Sequence, residues 1–170
     1  MVFSATIAII GSQGCGKSKY INLLANTSGH PTPNGAEVNI RDTYFNIREQ
    51  SGITNEDFDG YIVMFDTRSS ASFDQSVQTA KTLLQQGKQV VWCGTCVDSQ
   101  NRVVQWNSIK EARNTLNNVK YYDISAKSGY NRDKPFIEFI ETLSNPDIKH
   151  ELKIELDNDI MDLDNACNMH

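Results

Sequence analysis

The chain has 170 residues, enough for one compact domain and short for two. Hydrophobic residues make up 39% and charged residues 22%, a balance that excludes an extended, disordered protein. Sixteen basic against twenty-one acidic side chains give a net charge of −5, which argues against direct, general nucleic-acid binding.

The charge is unevenly spread. Residues 151–170 hold six acids and one lysine, whereas residues 1–150 hold fifteen of each sign. The sequence therefore divides into a neutral body, residues 1–146, and an acidic tail, residues 147–170. No run approaches the roughly 20 apolar residues of a membrane span, so no stable membrane anchor is expected. Cys167 stands in Cys-Asn-Met-His, but acidic residues precede it and His170 closes it, a poor prenylation signal. Cys15, Cys93, Cys96 and Cys167 do not form a disulfide framework, which points to a reducing compartment, cytoplasmic or nuclear. Cys93 and Cys96 have redox-motif spacing, but no second pair completes a metal set, and Cys93 ends an apolar strand.

In chain order, residues 6–10 (TIAII) form a continuous apolar run, as in a strand buried on both faces. A helix is predicted over residues 17–25. Residues 26–60 read as a long loop region with one strand candidate, residues 36–41. Residues 61–65 (YIVMF) and 89–93 (QVVWC) are further buried strands, separated by a helix over residues 72–86 with Phe73, Val77, Ala80 and Leu84 on one face. Ile109, Ala112 and Leu116 mark another helix, residues 119–124 a strand, and a last helix begins near Pro135. Strands alternating with helices imply right-handed βαβ units. The expected fold class is α/β, three-layered, with helices on both faces of a mostly parallel sheet that lacks one edge strand.

Gly11-Ser12-Gln13-Gly14-Cys15-Gly16-Lys17-Ser18 matches G-x-x-x-x-G-K-[ST], and it follows a strand and precedes a helix. Glycines let backbone N–H groups curl around phosphate oxygens, and the helix N-terminus adds partial positive charge. Lys17 is placed to reach the outer phosphates, and the Ser18 hydroxyl to ligate Mg²⁺.

Tyr121-Tyr122-Asp123-Ile124-Ser125-Ala126-Lys127-Ser128, with Met64-Phe65-Asp66 and Trp92-Cys93-Gly94, closely resembles the Ran-like small GTPases of the Ras superfamily, over residues 7–146. The resemblance implies a GTP/GDP and Mg²⁺ site. Gln13, Gly14, Cys15, Gly16, Lys17 and Ser18 would hold phosphates, and Asp98 would accept from guanine N1 and N2. Thr95 would brace the site, and Ser125, Ala126 and Lys127 would support the base. It also implies a monomer acting through protein partners of the Ran type.

Several departures fall on the chemistry. The base motif Asn-Lys-x-Asp reads Thr95-Cys96-Val97-Asp98, with a shorter brace and no lysine stem. Gln13 replaces a loop glycine. Asp42-Thr43-Tyr44-Phe45-Asn46 is the expected counterpart of Asp-x-x-Gly-Gln, with Asp42 in the metal shell and Asn46 at the water-orienting position. Thr32 is the candidate switch threonine for Mg²⁺. Residues 32–42 look too few for two full strands and a turn. Impaired hydrolysis follows from these losses. Two other readings remain: a nucleotide-independent decoy with the family's surface, and a phosphotransferase that uses the loop with ATP.

Overall fold

The computed structural model describes residues 3–144, so the acidic tail, Cys167, His150 and His170 lie outside the described residues. Eleven elements alternate along the chain: β1 (Phe3–Gly11), α1 (Lys17–Ser28), β2 (Gly29–Thr32), β3 (Gly35–Ile40), β4 (Thr43–Gln50), β5 (Gly60–Asp66), α2 (Ser70–Gln85), β6 (Val90–Thr95), α3 (Trp106–Thr115), β7 (Lys120–Asp123) and α4 (Lys134–Ser144). The strands make one sheet in the order β2-β3-β4-β1-β5-β6-β7. The β4-β1, β1-β5, β5-β6 and β6-β7 pairs are parallel, and β2-β3 and β3-β4 are antiparallel. This is the mostly parallel α/β architecture expected of a phosphate-loop domain.

Strand side chains alternate between faces, and in a sheet covered on both sides each set must be apolar. In β5, Ile62 and Met64 join Ile7, Ile9, Leu24, Ile47, Phe136 and Phe139 beneath α1 and α4. Tyr61, Val63 and Phe65 point the other way, to Trp92, Leu83, Ile109 and Leu116 beneath α2 and α3. All seven residues of β5 are buried for that reason. Gly60 opens the strand where a Cβ would lie 2.5 Å from the Phe139 ring, so the glycine lets α4 seat.

Residues 26–60 correct the sequence reading. They are mostly regular structure, and no edge strand is lost among the described residues. β3 and β4 have six and eight residues, joined by Arg41 and Asp42 at φ 49° and 60°. Two central residues with positive φ make the tight hairpin turn whose twist matches the strands it joins. The turn uses two residues, so both strands fit, and a short additional strand, β2, lies at the edge beyond β3. Inward positions alternate as Ala36, Val38 and Ile40, then Thr43, Phe45 and Ile47.

Candidate functional site

The carboxyl ends of β1, β5, β6 and β7 lie at one end of the sheet, where their loops converge, the usual position of a ligand in parallel α/β proteins. The loop after β1 turns tightly because Gly14 and Gly16 adopt φ 78° and 102°, conformations costly for other residues. Gly16 caps α1 without a side-chain hydrogen bond, and no acid stands in the first turn. The positive end of α1 therefore faces the loop with N–H groups available to an anion. Lys17 is 7% exposed, and its ammonium donates to the carbonyls of Gly11 (2.6 Å) and Ser12 (3.0 Å). Among the described residues no carboxylate pairs with this buried cation, and an anionic ligand would supply the countercharge.

Hydrogen bonds tie the neighbouring loops to this one. Thr95 Oγ1 lies 2.5 Å from the Cys15 carbonyl and 3.1 Å from that of Phe65, and its one hydrogen, donated mainly to the nearer Cys15, ties the end of β6 to the phosphate loop. The threonine is thus long enough to act as a brace. Ser12 and Ser72 hydroxyls lie 2.7 Å apart, and Ser72 Oγ also accepts from the Asp66 N–H, linking the loop to the start of α2. Thr67 donates to the Thr95 carbonyl at 2.7 Å. Burial pushes the Asp66 carboxyl up, but hydrogen bonds and charge from Arg68 outweigh that and hold it below its ordinary value. Burial pushes the Cys15 thiol up, so it remains protonated beneath the loop. Cys93 is fully buried in β6 and its thiol is pushed well up by burial, which makes it a core residue.

Beside the phosphate loop is a cavity of about 260 Å³, lined by Gly16, Thr95, Cys96, Asp98, Ser125 and Lys127, among others. Ser125 is buried; its hydroxyl donates to Asp98 Oδ2 and accepts the Ser128 N–H at 3.1 Å. The pair fixes a carboxylate at the cavity edge, where it can accept from a planar ligand with two adjacent N–H donors. The loop carrying Asp98 is anchored at its far end by Arg102, which donates to Asp123 at 2.8 Å and to the Val104 carbonyl at 2.9 Å. The structure thus brings together Gly14, Cys15, Gly16, Lys17, Ser18, Thr95, Asp98, Ser125, Ala126 and Lys127, with Gln13 exposed on the loop.

Asp42 and Asn46 are not among them. Asp42 sits in the β3-β4 turn, next to Thr43, which pairs with Phe3 at the start of β1. Eight residues of strand at about 3.3 Å each put it about 25 Å from the loop. Asn46 lies mid-strand between Thr6 and Glu37, in a separate hollow with Tyr44 and Asp59. Thr32 ends β2 at the β2-β3 turn. That turn does approach the site end of the sheet, since the Asn34 carbonyl accepts the Glu49 N–H at 2.9 Å.

The carboxylate that meets the phosphate loop is Glu49, near the end of β4. Its two oxygens lie 2.9 and 3.1 Å from the Ser18 hydroxyl, which donates its one hydrogen to this carboxylate. Parallel pairing of Ile9 with Glu49 dictates this placement. The sequence pattern points away from it because the motif it resembles carries an aspartate at this place, and this chain has a glutamate. Glu49-Gln50-Ser51-Gly52 following the alternation of Thr43, Phe45 and Ile47 was the available signal.

Residues 38–145 match the Ras family. The chain belongs to the Ras family. It is a GTP-binding small GTPase in kind, and the match begins in β3, so the phosphate loop lies outside the matched stretch and is recognised by its own sequence and geometry. Among the described residues, no helix is long and apolar enough to cross a membrane.

Proposed function

We propose that this Ras family member is a Ran-like guanine-nucleotide-binding protein that holds GTP or GDP with Mg²⁺, hydrolyses GTP slowly or not at all, and acts through protein partners in the cytoplasm or nucleus. The observation that carries the reading is the continuity of the site. One residue, Gly16, belongs both to the phosphate loop and to the cavity edged by Asp98 and Ser125. A nucleotide lying across Gly16 meets cationic and N–H groups at its phosphates and an acceptor at its base. The Ran-like assignment is supported by Met64-Phe65-Asp66 and by Ser125-Ala126-Lys127-Ser128.

Ser18 and Glu49 are hard oxygen donors of the kind Mg²⁺ takes, and such sites are completed by phosphate oxygens and water, so the donor set fits the ion. Bound there, the metal would neutralise charge on the outer phosphates. Slow hydrolysis is supported by the residue after Glu49-Gln50-Ser51-Gly52. The family motif has a water-orienting glutamine there, and this chain has Ile53, an exposed side chain that cannot hydrogen-bond water. Gln13 adds a side chain where the family has glycine.

The decoy reading is favoured by a separate observation. α1 ends at Ser28 and β2 begins at Gly29, so no loop remains there to respond to nucleotide. Titration with fluorescent GDP, GTP and ATP, with and without Mg²⁺ and against Lys17→Ala, separates the two. Saturable guanine-selective binding lost in the variant supports the nucleotide-dependent reading, and single-turnover assays then set the hydrolysis rate. A folded protein that binds none of the three leaves the decoy. Preference for ATP would instead favour phosphotransfer.

A further inference from the structure

The cavity beside the phosphate loop is unequally covered. A purine is flat and has two faces to shield from water. On the β7 side, Lys127 can lay an aliphatic stem along one face. On the β6 side stands Cys96, whose short side chain at φ 57° covers little. The residues after β5 run alongside this thinly covered wall. Parallel pairing puts Asp66 opposite Thr95, and Thr67 donates its N–H and its hydroxyl to the Thr95 carbonyl at 3.2 and 2.7 Å. Arg68 therefore emerges beside Cys96, although no sequence motif singles it out.

The Arg68 guanidinium is already fixed in place. Nε and Nη2 donate to the two Asp66 oxygens at 3.0 and 2.8 Å, and the Arg68 N–H donates to Oδ1 at 2.9 Å. Such a fork holds the guanidinium in the plane of the carboxylate. Asp66 is buried, whereas the Arg68 side chain is 45% exposed, so the guanidinium keeps a face open. The Cys96 thiol belongs to the same cluster and helps to hold the Asp66 carboxyl below its ordinary value. Arginine stacks on flat aromatic faces through its own planar, delocalised cation. We propose that Arg68 is a nucleotide-binding residue that shields the base face Cys96 leaves open. The inference rests on the guanine-nucleotide reading above and deepens it. Because Asp66 neutralises Arg68, the contribution comes from plane and area rather than net charge.

The test is calorimetric titration of GDP, inosine diphosphate and pyrophosphate, with Mg²⁺, into the full chain carrying Arg68→Lys or Arg68→Ala, beside wild type. Lysine keeps a cation for Asp66 and loses the plane. Both variants weaken GDP and inosine diphosphate by about two- to fivefold, the range of an exposed cation–π contact. The two nucleotides weaken equally, because stacking reads a face and not the edge groups in which they differ. Pyrophosphate, which has no base, binds unchanged. In a Cys96→Lys chain, where a lysine stem covers the face instead, adding Arg68→Lys has no further effect. A lysine variant that binds GDP like wild type overturns the proposal, since an ion pair would then suffice. So does an equal loss of pyrophosphate, which would place the effect in the phosphate loop, or an undiminished loss in the Cys96→Lys chain. If wild type binds neither nucleotide, the guanine reading fails and Arg68 falls with it. If wild type binds and both variants match it, the guanine reading stands without Arg68.

Discussion

Thr95→Val is the sharpest probe of how the site is held together. The substitution keeps the shape of the side chain and replaces the hydroxyl by a methyl group. At 6% exposure, Thr95 lies 2.5 Å from the Cys15 carbonyl and 3.1 Å from that of Phe65. One hydroxyl hydrogen can be donated to one carbonyl at a time, and the shorter contact marks Cys15 as its main acceptor. Removing the donor leaves a buried carbonyl facing a methyl group, which costs about 1–3 kcal/mol. At about 2–4 °C per kcal/mol for a chain of this size, melting should fall by about 2–12 °C. Thr95→Ser keeps the hydroxyl and loses only a methyl group, so it should fall by much less. Thermal and urea unfolding followed by circular dichroism measure both, with an unchanged urea slope showing that the same surface unfolds. A valine variant that melts within 1 °C of wild type, or a serine variant as unstable as valine, would refute the bridge.

Asp66→Asn should lower the urea midpoint near pH 7, and the difference from wild type should shrink as pH falls below about 4. The carboxyl is held below its unfolded value, so its contribution is complete above about pH 4 and fades as pH falls through the lower folded value; a pH-independent difference between variant and wild type would contradict this. Glu49→Gln removes the charge facing Ser18 and should raise the Mg²⁺ concentration needed to retain GDP by about 10–100-fold, read by chelator-induced release of a fluorescent nucleotide. Equal chelator sensitivity would remove Glu49 from the metal shell. Phe136 is fully buried with its ring 5.0 Å from that of Phe45, so Phe136→Ala should cost about 3–5 kcal/mol. Phe136→Leu, which leaves less empty space, should cost less and keep the protein folded for measurement.

The parts of this fold that were legible in sequence are those where local pattern and global burial agree. The runs at residues 61–65 and 89–93 could only be strands covered on both faces, and the glycine-lysine loop announced its own strand-turn-helix context. Residues 26–60 misled for two physical reasons. The hairpin turn uses Arg41 and Asp42, which adopt positive φ without the asparagine or glycine that usually signals it. With that turn unseen, the alternation of Thr43, Phe45 and Ile47 had no partner strand, and Asp42 stood as the nearest aspartate for a metal. The site carboxylate was instead one methylene longer and seven residues later.

A nucleotide switch requires a segment whose contacts differ between the two ligand states. The described residues leave little room for one. Between α1 and β2 there are no intervening residues, and β2 is paired to β3 from Gly29↔Val38 to Thr32↔Gly35. The β4-β5 connection is residues 51–59, and its end is stapled to β1. Asp59 donates its N–H to the Thr6 carbonyl at 2.9 Å, and its carboxylate accepts the Thr6 N–H at 2.8 Å. Phe58 is buried and Asp57 pairs with Lys88, which leaves residues 51–56 as the part able to respond to an outer phosphate near Glu49. Hydrogen exchange with GDP and with a non-hydrolysable GTP analogue should therefore give equal protection across residues 29–40, with any difference among the described residues 3–144 confined to residues 51–56. A nucleotide-dependent change in β2 or β3 would mean that the hairpin opens as a unit. The family's switching would then operate through strand pairing, and the argument from missing loop length would fail.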